Sequence, residues 1–133
     1  MNRQEFGAML TEAKNNATVK LADSLPFIHR LSIKKMEAIE KGTYNYSLSD
    51  AFTYLNMCGV AFDILWDFID TIKGLRVVMN RHLKDYDMPL SELSRQSGVS
   101  VSVINAFLEG EACLKIDTFL KLMDALEEEI VIQ

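Results

Sequence analysis

The sequence predicts a mostly helical protein with two similar halves, each of which ends in a short β-strand. Three observations support this fold class. When the chain is shifted against itself by 68 residues, the apolar positions of 25–65 coincide with those of 93–133 without a gap, as expected for a duplicated unit. Apolar residues in both halves recur at helical spacing between capping residues. Each half then closes with a run of β-branched or alternating residues.

The offset changes by one residue near the start of each half. Upstream of Leu25 the best offset is 69, which pairs Phe6 with Leu75 and Leu10 with Met79. One extra residue therefore follows the first helix of the first half. We interpret the pattern as two tandem domains, each with four to five helices. The predicted domains are residues 1–66, called the first half below, and residues 67–133, called the second half.

The second half shows the helix boundaries most clearly. Gly98 suits the end of a helix, because glycine readily adopts the left-handed backbone conformation found there. Ser100 and Asp117 suit the position before a helix, where their side chains accept a backbone hydrogen bond. The predicted helices are 72–86, 89–97, 101–109 and a fourth that Asp117 caps.

The first half repeats this order with two departures. Pro26 lies inside the expected second helix, where it removes a hydrogen bond, and Arg30 stands opposite Gly98. The two predicted strands need partners, so they pair with each other or with a second subunit. We also expect Trp66 and Phe68 to pack between the halves. The predicted helices are 5–14, one near 20–30, 33–41 capped by Ser32, and 50–57 capped by Ser49, and the strands are 60–64 and 129–133.

Composition argues against a membrane protein and against catalysis. The chain has no apolar run of about 18 residues, and its amphipathic, acid-containing start is unlike a signal peptide, so we expect a cytoplasmic protein. His29 and His82 are isolated, and the six glycines are scattered. Cys58 and Cys113 are far apart in sequence, and we interpret both as small buried residues. We therefore expect no enzyme activity, no cofactor and no metal site.

The informative motif lies in the second and third helices of the second half. Leu93 is followed five residues later by Gly98, and Ile104 and Phe107 then recur on one side of the next helix. Two short helices joined by a tight turn that contains glycine form a helix-turn-helix. This pattern resembles the Cro and phage-repressor type of helix-turn-helix, and the fold that it implies is a pair of lambda-repressor-like domains. The resemblance covers roughly residues 5–64 and 72–133.

The resemblance implies that the third helix of each half enters the DNA major groove. In the first half, Ile33, Lys34, Glu37 and Ala38 would then face base edges, and Lys35 and Lys41 would lie beside the backbone. Lysine suits guanine, and isoleucine suits the thymine methyl group. The loop after this helix would offer polar groups to phosphate. The DNA-binding residues implied in this way are Ser32, Ile33, Lys34, Lys35, Glu37, Ala38, Lys41, Thr43, Tyr44 and Asn45, with Ser102 and Asn105 in the second half.

Charge leaves two functions open. The net charge of −5 is unfavourable for DNA binding, because phosphate contacts need local cations. The third helix of the second half carries no cation, although Asn105 suits adenine. The first hypothesis is a sequence-specific transcriptional regulator, which binds double-stranded DNA mainly through the first half and acts as a homodimer. The alternative is an antitoxin-like or dimerisation module of helix-turn-helix origin, which binds a protein partner.

Overall fold

The computed structural model describes residues 1–17 and 31–133. The helix predicted near residues 20–30, with Leu25, Pro26, His29 and Arg30, lies outside the described residues. The described residues are mostly helical and include a small sheet, which confirms the predicted fold class of helices with minor strands. The helices are α1 (Arg3–Asn16), α2 (Ile33–Lys41), α3 (Leu48–Cys58), α4 (Ile72–Asp85), α5 (Leu90–Ser97), α6 (Val101–Leu108) and α7 (Ile116–Ala125). The strands are β1 (Phe62–Ile64), β2 (Asp67–Ile69) and β3 (Val131–Ile132).

The caps of α2 and α6 are as the sequence predicts. Ser32 Oγ accepts the Lys35 N–H at 3.1 Å, and Ser100 Oγ accepts the Val103 N–H at 3.3 Å. Each serine thereby satisfies one of the backbone donors that a helix leaves free at its N-terminus. Both predicted helices begin at the expected residue.

The starts of α3 and α7 correct the prediction. The residue before α3 is Ser47 rather than Ser49, and the residue before α7 is Lys115 rather than Asp117. Ser47 and Lys115 form an antiparallel β-bridge with each other, and this pairing holds both residues in an extended conformation. Each helix therefore begins at the next residue, two residues earlier than the sequence predicts. At α3 the Ser47 Oγ also accepts the Ser49 N–H at 3.2 Å, whereas Lys115 makes no such side-chain bond at α7.

The three strands form one antiparallel sheet in the order β2-β1-β3. Phe62 pairs with Ile132, and Asp63 pairs with Val131, so the two predicted strands pair with each other. Strand β2 could not be predicted from the sequence, because the tight turn before it contains Leu65 and Trp66, both at positive φ. Glycine, asparagine or aspartate is the usual signal for such a turn.

Buried apolar residues from both halves form one continuous core. Phe62 on β1 lies at its centre, with ring centroids 6.0 Å from Phe6, 5.3 Å from Phe52 and 5.7 Å from Phe119. This one side chain therefore contacts α1, α3 and α7.

No helix within residues 1–17 or 31–133 is long and apolar enough to cross a membrane.

Two expectations about burial are wrong. Trp66 is 90% exposed and Phe68 is 64% exposed, whereas their neighbours Leu65 and Ile69 are buried. Phe68 lies on the side of β2 opposite to Ile69, because successive side chains of a strand point to opposite faces. Cys58 is buried as expected, but Cys113 is exposed in the segment that leads to α7.

Candidate nucleic-acid interface

Helices α5 and α6 form the tight turn that the sequence motif predicts. Gly98 follows α5 with a φ of +75°, which side chains other than glycine rarely adopt. Its N–H donates to the Ser94 carbonyl at 2.9 Å. In the turn, Ser97 Oγ accepts the Val99 N–H at 3.2 Å, and α6 begins only three residues after Gly98.

The apolar residues of the motif point into the protein. Leu93, Ile104 and Phe107 are fully buried, and Val99 is almost so. These contacts fix the angle between α5 and α6, so the opposite side of α6 faces solvent. Burial at these positions confirms the inward positions that the spacing predicts.

Arg76 on α4 fixes the C-terminal end of α6. Its Nε donates to the Phe107 carbonyl at 2.7 Å, and its Nη2 donates to the Ala112 carbonyl at 3.1 Å. The guanidinium carbon also lies 4.9 Å from the centre of the Phe107 ring. The cation therefore neutralises the negative end of the α6 dipole and is already engaged within the protein. Sequence reasoning missed this role, because nothing local relates Arg76 to residues 31 or more positions away.

Helix α2 exposes the predicted side chains along one side. Ile33 is 77% exposed. Lys34 and Glu37 are exposed beside it, and Ala38 is half-buried. Met36 and Ile39 on the opposite side are buried. The structure thus brings these four outward residues together on a single surface, as the sequence predicts.

Lys35 differs from its neighbour Lys34. Its Nζ lies 3.0 Å from Asp50 Oδ2 on α3, and the hydrogen bond to Asp50 and the charge of Asp50 raise the pKa of Lys35. Lys35 therefore stays protonated, but part of its charge is neutralised by Asp50. Among the described residues, Lys34 and Lys41 have no ion-pair partner.

Two side chains of the loop after α2 already make hydrogen bonds within the protein, so the loop has fewer polar groups available for phosphate than the sequence predicts. Asn45 Oδ1 accepts the Asp117 N–H at 3.0 Å, so its carbonyl group caps α7. Thr43 Oγ1 donates to the Ala38 carbonyl at 3.4 Å. Tyr44 is partly exposed, and its ring lies 5.8 Å from that of Tyr46 in an edge-on arrangement. The Thr43 and Tyr44 side chains are at the surface beside Lys41.

The corresponding surface of α6 carries no charge. Ser102 and Asn105 are exposed as predicted, and Ser102 Oγ lies 3.2 Å from Ser100 Oγ. Val101 is 42% exposed and Val103 is 44% exposed.

Within the described part of the chain, no group of three or more His, Cys, Asp or Glu side chains is arranged to hold a metal ion.

Comparison with protein families gives one match. The family model described as Helix-turn-helix matches residues 81–132, which extend from within α4 to β3. Comparisons with curated proteins and with solved structures give no match. The matched segment contains the α5–α6 turn, its buried residues and the exposed surface of α6. The match therefore indicates a helix-turn-helix in the second half, of the kind found in DNA-binding regulators.

Proposed function

We propose that the protein is a sequence-specific regulator that binds double-stranded DNA through the major groove, chiefly with α2. The observation that carries the proposal is the exposed N-terminal surface of α2. There Lys34, which has no ion-pair partner among the described residues, lies beside the exposed Ile33. The family match supports helix-turn-helix architecture for α5 and α6. By its place in the sequence, α2 is the helix of the first half that corresponds to α6 of the second.

The equivalence of the two helices rests on matching boundaries. Helices α4, α6 and α7 begin 69, 68 and 68 residues after α1, α2 and α3. A serine caps both α2 and α6, and Gly42 and Gly110 both adopt a positive φ after them. These agreements support two tandem domains with a boundary near residue 66.

The contacts on α2 divide into two groups. Ile33, Lys34 and Glu37 would meet base edges, where lysine selects guanine and glutamate accepts from cytosine. Lys41, Thr43 and Tyr44 would meet the phosphate backbone, which positions the helix without reading sequence. Lys35 would contribute less than Lys34, because Asp50 already neutralises part of its charge.

A second function is favoured by the surface of α6. Val101 and Val103 are exposed there, while Glu109 and Glu111 follow the helix at the surface. An uncharged, partly apolar surface beside two carboxylates suits a protein partner better than phosphate. In this alternative the second half binds a protein, and DNA affinity is low.

Binding to duplexes selected from a randomised pool tests the proposal. Phosphate contacts weaken with salt, with a log–log slope of about −0.9 for each phosphate neutralised. We expect Lys34→Ala/Lys41→Ala to lower affinity and to make the slope shallower by about 1, because Lys41 contacts phosphate and Lys34 contacts a base. The matched control Lys73→Ala/Lys84→Ala removes two exposed cations of α4 and should leave both quantities nearly unchanged.

Two results would count against the proposal. The first is that no duplex from the pool binds at low salt, about 50 mM, where phosphate contacts are strong. The second is an equal effect of the two double variants, which would mean that only net charge matters. Retained folding of each variant is checked by its thermal unfolding curve.

A further inference from the structure

The two halves meet through residues at equivalent positions. The Leu48 N–H donates to the Leu114 carbonyl, and the Ile116 N–H donates to the Tyr46 carbonyl, each at 2.8 Å. These reciprocal bonds flank the Ser47–Lys115 bridge, whose two residues are 68 positions apart. Exchanging the halves leaves this pair of hydrogen bonds unchanged, as in an isologous contact between two subunits.

The same relation holds in the sheet. Asp63 of β1 pairs with Val131 of β3, again 68 positions apart, and the pairing is antiparallel. Ala61 and Gln133 continue it with reciprocal backbone hydrogen bonds of 2.9 and 3.0 Å. An antiparallel pair of equivalent residues lies on a local twofold axis. Two such pairs in different parts of the molecule therefore define one pseudo-twofold axis through the chain.

This axis fixes how α2 and α6 lie relative to each other. A rotation about an axis leaves the height along that axis unchanged, so the two helices lie at the same level on opposite sides of it. Ser47, on the axis, is six residues beyond Lys41, the last residue of α2. An extended chain spans at most about 3.5 Å per residue, which places the end of α2 within about 20 Å of the axis.

That upper limit is compatible with the spacing of DNA grooves. Helices that enter the major groove one turn apart are separated by about 34 Å, so each lies about 17 Å from the axis between them. Paired subunits usually supply the two helices. Here both are present in a single chain.

Resting on the proposed function, we propose that one chain occupies a complete two-part DNA site, with α2 in one major groove and α6 in the next. A second copy is then not needed to fill the second half-site. The geometry that carries this inference is the pair of equivalent-residue contacts, at Ser47–Lys115 and at Asp63–Val131.

The side chains further specify the type of DNA site. Ile33 stands opposite Val101, so both half-sites share a position where an apolar group meets a thymine methyl. At the next positions the halves differ, because Lys34 stands opposite Ser102 and Glu37 stands opposite Asn105. Lysine and glutamate suit guanine and cytosine, whereas asparagine suits adenine. The site is therefore an imperfect palindrome with two unlike half-sites.

Stoichiometry and spacing test the inference on a duplex selected from a randomised pool. Light scattering of the purified complex should give one chain per duplex. Insertion of about half a helical turn, ~5 base pairs, between the half-sites should weaken binding at least about tenfold, because the second helix then faces the wrong side of the duplex. Lys34→Ala should relax base preference in one half-site only, and Asn105→Ala in the other only.

The outcomes separate this inference from the proposed function. Two chains on a symmetric duplex, or binding that ignores the insertion, would overturn the single-chain site while DNA binding stands. Loss of base preference in both half-sites from Asn105→Ala alone would do the same. Absence of binding to every duplex would instead overturn the proposed function itself.

Discussion

The first helix of each half supports the exposed helix in a different way. In the first half, α1 approaches α2 so closely that a Cβ atom at Gly7 would lie 2.3 Å from the Glu40 carbonyl oxygen and 2.7 Å from that of Ile39. In the second half, the position equivalent to Gly7 is Arg76, whose side chain reaches the Phe107 carbonyl. Thus α1 supports α2 by direct backbone contact in the first half, whereas α4 supports α6 through the hydrogen-bonded side chain of Arg76 in the second half.

A second difference between the halves is a polar cluster of Lys14, Glu40 and Tyr54, which joins α1, α2 and α3. Glu40 Oε2 lies 2.6 Å from Lys14 Nζ and accepts the Tyr54 hydroxyl at 2.7 Å. Burial and this hydrogen bond to Glu40 raise the pKa of Tyr54. The three equivalent positions in the second half are all leucine: Leu83, Leu108 and Leu122.

The two halves differ less in their buried apolar residues than in the residues that support α2 and α6. Phe6 and Leu75, at matching positions near the start of each half, are both fully buried. The residues that support α2 and α6 differ in chemistry between the halves. Substitution of a supporting residue in one half should therefore change the free energy of unfolding, whereas substitution at the matching position of the other half should not change it in the same way.

The largest expected effect is at Gly7. Glycine to alanine normally stabilises a helix by about 1 kcal/mol, but here the added methyl group meets backbone carbonyl oxygens that cannot move aside. We expect Gly7→Ala to lower the free energy of unfolding by about 3 kcal/mol, measured by urea denaturation. In the control, Gly74→Ala, the nearest atom is the Thr71 hydroxyl at 3.0 Å, and a small shift of this side chain relieves the contact while it still accepts the backbone N–H of residue 74. Equal losses in the two variants would contradict the close approach of α1 to α2.

The next largest effect is at the polar cluster of Lys14, Glu40 and Tyr54. Glu40→Leu removes the acceptor of both partners and leaves a buried hydroxyl unpaired, so we expect a loss of about 2 kcal/mol. The triple variant Lys14→Leu/Glu40→Leu/Tyr54→Phe makes the cluster apolar, as in the second half. It should recover most of the loss, because no unpaired polar group remains. A triple variant less stable than Glu40→Leu would show that the two halves cannot exchange these solutions.

The smallest effect compares two buried tyrosines. The Tyr46 hydroxyl is buried and has no hydrogen-bond partner among the described residues, whereas the Tyr54 hydroxyl donates to Glu40. An unpaired buried hydroxyl is unfavourable, so Tyr46→Phe should raise the free energy of unfolding by about 1 kcal/mol. Tyr54→Phe should lower it by about the same amount. Thermal and urea unfolding of both variants measure the difference, and a loss of stability in Tyr46→Phe would mean that its hydroxyl has a partner.

Local features of the interface could be predicted from the sequence because short-range chemistry determines them. The turn at Gly98 depends on a backbone conformation that glycine favours, and the caps at Ser32 and Ser100 depend on a hydrogen bond within one helical turn. Met36 and Ile39 are three residues apart and therefore lie on the same side of α2, so the opposite side could be predicted to face outward. The internal roles of Arg76 and Asn45 could not be predicted, because their partners are remote in sequence.

The sequence alone determined the helical class, the inward residues and the ends of α2, since each depends on neighbours within a few positions. Only the tertiary structure decided where α7 begins, and that β1 pairs with β3 rather than with another chain. Both outcomes depend on backbone hydrogen bonds between residues about 68 positions apart. Such pairing has no local signature, because backbone donors and acceptors are the same in every residue except proline.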